Sequence, residues 1–334
     1  MKNKFLLLAF VSAFYACSDN DSPTTPAATP ELRLVTSSNT SGKVSYTDLL
    51  ASTPNPISFT IGSLDTDGVY YDSTRDEILV ASRSQNKLEI YGGIQNALTA
   101  NATSLSLSLA SASEFANARE VAVSGDKIVV TQDQSPSNAN TNKLLVYQRT
   151  GSSLSLLHAY TVNFKTWGIA IEGSTLYAVA DLTGDLLVFE NFFNLPSGSI
   201  MPTKRVTIAG LVRTHGIAYA ASDDRMVLTD VGAAASDSDG GLIVINNFSS
   251  VINATPNGGT IALTNQVRVY GPLSTLGNPV DVAYDAVSQR IYVAERANMG
   301  GRLLTFALPT TTADAAPAAA RLEPGISSVY VHRK

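Results

Sequence analysis

TWGIAIEGSTLYAVADLTGDLLVF, residues Thr166 to Phe189, holds three short apolar runs: Gly168 to Ile171, Leu176 to Ala180, and Leu186 to Phe189. The turn formers Glu172, Gly173 and Ser174 separate the first two runs, and Asp181 to Asp185 separates the second from the third. Runs of this length between such residues predict successive antiparallel strands joined by tight loops. The plan returns at Thr214 to Ile245, where THGIAYAASDDRMVLTD is followed by a longer loop and GGLIVI. It returns again at Pro279 to Phe306, PVDVAYDAVSQRIYVAERANMGGRLLTF, and less regularly from Gly68 and from Arg119. A fourth run completes each unit, at Ser104 to Leu109, Leu156 to Val162, Arg205 to Ile208, Gln266 to Tyr270 and Ala320 to Leu322.

The two ends decide the topology. Leu32 to Thr36, Lys43 to Tyr46 and Pro56 to Ile61 match the second, third and fourth runs of a unit whose first run is missing. Ile326 to His332 is a first run with nothing after it. Joining them gives six four-stranded units at intervals of about 50 residues, near the range of radial repeats. A closed ring buries both faces of each sheet, which explains why second runs such as Ile78-Leu79-Val80 and Ile128-Val129-Val130 are continuously apolar rather than alternating. The predicted fold class is all-β: a six-bladed β-propeller of four-stranded antiparallel sheets over residues 31–334. Pairing of the C-terminal strand with the N-terminal blade closes it.

Composition limits the partners. Lys plus Arg number 23 against 28 Asp plus Glu, and no basic cluster stands in the folded part, so nucleic acid is excluded as the expected partner. The single cysteine, Cys17, leaves no disulfide framework and no cysteine-based metal site. Residues 1–16 carry Lys2 and Lys4 before the apolar run Phe5 to Tyr15, too short to span a bilayer and flanked as a secretory signal peptide is. Ala16-Cys17 resembles the lipobox of bacterial lipoproteins, although Phe14 stands where Leu is usual. Ser18-Asp19-Asn20-Asp21 resembles the acidic tether of Bacteroidetes lipoproteins, some of which reach the outer face of the outer membrane. That resemblance implies a lipid on Cys17, membrane association through it, and an outer-membrane location with access to the cell surface. Residues 17–30 have the Ser, Asp, Thr, Pro and Ala composition of a flexible linker.

The recurring Gly-Ile-Ala, then Leu/Ile-Tyr-Val-Ala-Asp/Glu, then Leu-x-Val-Phe resembles the repeats of six-bladed NHL-repeat and lactonase-like propellers. The resemblance covers nearly all of residues 31–334 and specifies architecture more than activity, because this superfold carries binding proteins, scaffolds and lactonases alike. It implies two readings. One is a non-enzymatic module that binds a protein or carbohydrate partner; the other is a metal-dependent lactonase or related hydrolase. The Glu, Asn and Asp set that gluconolactonase-like enzymes use for their metal is not placed in full in this chain.

In a propeller the loops leading into first strands and those leaving second strands gather around one mouth of the channel. That places Asp67, Arg119, Glu120, Trp167, His215 and Asn278 beside Arg83, Asp133, Asp181, Asp230, Glu295 and Arg296. From these, Arg119, Trp167, Asp181, His215, Asp230 and Glu295 form the candidate ligand site. Trp167 and His215 offer a stacking surface for a sugar, and Arg119 a partner for a carboxylate. Asp181, Asp230 and Glu295 could together hold Ca²⁺, or each could accept backbone hydrogen bonds from its own loop. Charged neighbours such as Asp181 or Asp230 are expected to raise the His215 pKa. Nucleophile elbows, phosphate-binding glycine loops and dinucleotide fingerprints are absent.

Overall fold

The computed structural model describes residues 29–334. The expected signal peptide over residues 1–16 and the expected lipidation at Cys17 fall outside the described residues. Six antiparallel sheets surround a channel as a β-propeller. Their inner strands are Ile326–Arg333 (blade 1), Thr66–Asp72 (blade 2), Ala118–Ser124 (blade 3), Thr166–Glu172 (blade 4), Thr214–Ala220 (blade 5) and Pro279–Asp285 (blade 6). Each inner strand lies beside those of both neighbouring blades, so the ring is closed. Blade 1 is the split one. Ile326–Arg333 pairs antiparallel with Leu32–Ser38 from Leu32 opposite Arg333 to Ser38 opposite Ile326.

Second strands are buried on both faces because each sheet is covered by two neighbours. In Glu77–Ser82, Ile78 and Val80 enter the core against blade 1, while Leu79 and Ala81 enter the core against blade 3. Burying one such side chain stabilises by roughly 1.5–3 kcal/mol, and six inter-blade cores repeat the pattern.

Two details depart from a uniform four-stranded plan. Blades 3 and 4 each gain a fifth, two-residue strand in parallel pairing, Gly198–Ser199 and Thr260–Ile261, laid along the outer edge by a long connection. Such cover removes part of an exposed sheet edge. Short helices Ile94–Thr99 and Phe248–Ala254 follow the third strands of blades 2 and 5 and bury Ile94, Phe248 and Ile252. Neither is long enough to give a 3.6-residue period in the sequence.

The inner strands share one irregularity that builds the channel. In every blade the pairing register slips by one residue near the start of the inner strand, as between Thr166 and Ile169 or Thr214 and Ile217. These are β-bulges, which bend the strand and re-aim side chains. Thr131 and Thr229 on second strands support them by accepting the Glu120 and Gly216 amides at 2.9 and 2.8 Å. Two rings of residues result: an upper ring of Asp67, Arg119, Trp167, His215, Val280 and Ser327, and a waist of Gly68, Glu120, Gly168, Gly216, Asp281 and Ser328. Three waist positions are glycine because a Cβ there would collide with the next blade's backbone. At Gly216 it would lie 2.9 Å from the Asp281 Cα.

Candidate functional site

A cavity of about 230 Å³ stands above the upper ring. Asp67, Arg119, Trp167 and His215 line its floor, and Arg213, Asn278 and Arg296 stand on its walls. The sequence therefore places Arg119, Trp167 and His215 together correctly. Trp167 is not an open stacking surface, however. The His215 ring stacks on one face at 3.6 Å between centroids and 5° between planes, and the Arg119 guanidinium lies 4.1 Å from the Trp167 centroid.

Around this stack runs a belt of alternating charge. Arg83 meets Asp67 at 3.2 Å, and Arg119 lies 3.6 Å from Asp67 and 3.1 Å from Asp133. Lys165 stands 3.9 Å from Asp133 and 3.3 Å from Asp181. Arg213 closes the run, donating through Nε at 2.6 Å and Nη2 at 3.2 Å to the two Asp181 oxygens. Burial would raise the Asp181 pKa, but hydrogen bonds from His215 and Arg213 outweigh it and hold this carboxyl well below the usual range. Asp67 goes the other way, pushed up to about 6 because its burial exceeds the pull of Arg83 and Arg119.

His215 reverses the expectation drawn from the sequence. Its pKa is lowered, to about 4, because burial disfavours the imidazolium by more than Asp181 favours it. The residue is only 2% exposed, and Arg213 and Arg119 add repulsion. At neutral pH it is an uncharged imidazole whose Nε2 donates to Asp181 Oδ1 at 3.0 Å. Charge counting along the sequence pointed the other way because it cannot price desolvation.

Of the six candidates, Asp181, Asp230 and Glu295 do not line the cavity. Asp230 accepts the Val212, Arg213 and Gly232 amides and the Tyr270 hydroxyl at 2.9–3.0 Å. Glu295 accepts the Gly277, Asn278, Ala297 and Asn298 amides at 2.9–3.2 Å. Both brace their own loops, as the backbone reading of these carboxylates anticipates. Asp181 is engaged by Arg213, His215 and Lys165, so the three carboxylates do not converge on one point. Arg213 and Arg296, in contrast, line the cavity without having been among the six candidates. Arg296 is half-buried and, among the described residues, takes no ion pair or side-chain hydrogen bond. Its position after the second strand of blade 6 was visible in the repeat; its lack of a partner was not.

No family model and no curated protein matches the chain. Among solved structures it is similar to a chain of a nidogen/laminin complex, with a TM-score of 0.61 and 12% identity over 90% of this chain and 98% of that one. It is also similar to a protein of unknown function from Bacteroides caccae, with a TM-score of 0.55, 10% identity, and 90% and 98% of the two chains covered. A functionally unknown protein from Desulfotomaculum acetoxidans gives 0.53 and 11%, with 88% and 82% covered. The likeness is one of fold. At these identities the shared six-bladed propeller carries no activity with it.

Proposed function

We propose that this propeller is a non-enzymatic binding module, held at the outer membrane by a lipid on Cys17, whose mouth cavity receives a carboxylate. The observation that carries this reading is Arg296. Among the described residues every other cation at the mouth is tied into the belt, whereas Arg296 lines the same cavity without an ion pair or side-chain hydrogen bond and acts on Asp67 only through space. A guanidinium binds a carboxylate through paired hydrogen bonds, and the rigid belt keeps the remaining charges from following the ligand. The carboxylate belongs to a sugar acid or to an acidic side chain of a partner protein. The nidogen/laminin neighbour, crystallised in a complex of two proteins, lends the second source some support.

Calorimetry with gluconate, glucuronate, neutral glucose and an acidic peptide tests the reading and separates the two sources. Arg296→Ala is expected to weaken carboxylate binding by about tenfold or more, the value of one charge-assisted contact. Equal binding by the variant, or no binding of any carboxylate, removes the site. Ca²⁺-dependent turnover of a lactone panel would instead establish the hydrolase reading that the repeat resemblance implies.

Anchoring has its own test. Cys17→Ser is expected to move the protein from the membrane to the soluble fraction and to abolish labelling by a fatty-acid analogue. A wild-type protein that is soluble and unlabelled would end the lipoprotein assignment.

A further inference from the structure

The opposite end of the channel holds a second cavity, of about 300 Å³, which the mouth site does not use. Its walls are the lower halves of the inner strands, mainly Val, Ile and Ala, and Tyr70, Tyr219, Tyr284 and Tyr330 stand among them. The tyrosines are held in place: Tyr219 donates to Asp224 at 3.0 Å, Tyr284 donates to Asp223 at 2.7 Å, and the Tyr70 and Tyr330 rings pack with centroids 4.8 Å apart. Toward the waist the lining ends on two carboxyls, Glu120 and Asp281.

These two come from blades 3 and 6, opposite each other in the ring, and glycine at the waist in blades 2, 4 and 5 leaves room for them to meet. Both line the waist end of the cavity and, among the described residues, neither has a salt-bridge partner. Asp281 is held by the Val282 amide at 2.7 Å and by the Ser328 hydroxyl and Val329 amide at 2.8 Å each. Glu120 uses only Oε1, for the Val121 amide at 2.8 Å, and no protein N–H or O–H among the described residues reaches Oε2. Burial first, and then each other's charge and that of Asp67, raise the Glu120 pKa well above the carboxylate range; burial pushes Asp281 up to about 6. Asp67 also faces this pair from above, itself balanced by Arg83 and Arg119. An acidic pair without a counter-ion is costly to bury. Here it lies at the end of an apolar, tyrosine-bearing cavity of the size that small ligands occupy.

We propose that this lower cavity binds a small organic ammonium ion, its charged head seated between Glu120 and Asp281 and its apolar part against the tyrosine-bearing wall. Any proton that the pair holds leaves to solvent when the ammonium binds. The two carboxyls favour such a cation over a neutral molecule of the same shape. The site is independent of the carboxylate site at the mouth.

Phenethylamine and the isosteric alcohol 2-phenylethanol are suitable probes, titrated calorimetrically at pH 6 and pH 8 in two buffers of different ionisation enthalpy. The amine is expected to bind, more tightly at pH 8, with proton release; the alcohol is not. Glu120→Gln keeps the Val121 contact and removes one of the two carboxylates that would face the ammonium, and it is expected to weaken amine binding by about tenfold or more. The same variant is expected to melt no lower than wild type at pH 8. A carboxyl with a raised folded-state pKa costs stability as pH rises through that pKa, and the amide removes this cost. Arg296→Ala should leave amine binding unchanged. No amine binding to folded wild type at pH 8, equal binding by Glu120→Gln, or displacement of the amine by millimolar Ca²⁺ would each overturn the proposal, the last by making the pair a metal site.

Discussion

Deleting Ile326 to Lys334 is expected to abolish cooperative unfolding, leaving a protein that binds hydrophobic dyes and aggregates on warming. The strand supplies the whole inner edge of blade 1 and buries Ile326 and Val329 in the core it shares with blade 6. Its Val329 amide and Ser328 hydroxyl fill the Asp281 carboxylate, and Arg333 donates from Nε and Nη2 to the two Asp285 oxygens at 2.6 Å each. Removing it breaks the ring at one place and leaves Leu32–Ser38 as an open sheet edge beside stripped apolar faces. The losses exceed the roughly 5–15 kcal/mol by which a folded protein is stable at all. A differential scanning calorimetry trace for the truncated chain that matches the full-length one would rule out closure by this strand.

The second large effect is expected from one methyl group. Gly168 is the waist residue of blade 4, and a Cβ there would sit inside the van der Waals radius of the His215 backbone oxygen, with the Ile217 Cγ2 at 3.0 Å. The obstacle is backbone of the neighbouring inner strand, fixed by its own bulge and by the Trp167–His215 stack, so no flexible side chain can yield. Gly168→Ala should destabilise by about 3 kcal/mol, at the upper end of overpacking costs, and lower the Tm by roughly 5 °C or more. It should also displace His215 and Trp167 and so weaken any ligand at the mouth. Gly62→Ala is the control, because it is exposed and an added Cβ meets only the Tyr91 hydroxyl at 3.4 Å. Thermal melts of the two variants that coincide would show that the inner strands can move apart, contrary to the packing described.

The order of the strands, their number and the split blade were legible in the chain because turn residues punctuate every apolar run, and because a unit missing its first strand and a strand missing its unit can only complete each other in a ring. Repetition also told which positions gather at the mouth, and Arg119, Trp167 and His215 do meet there. The roles of these residues were decided by tertiary structure. A bulge inserts one residue without any mark in the hydrophobic pattern, yet it turns Glu120 and Asp281 to face each other across the waist. Asp181, Asp230 and Glu295 occupy the same place in successive repeats, and only the packed loops give Asp181 to Arg213 and His215 while giving the other two to backbone amides. The acidity of His215 turned on the same distinction. Sequence shows which charges are near, but the sign of a pKa shift depends on how much water the fold removes, and at 2% exposure the lost hydration of the imidazolium outweighs an adjacent carboxylate.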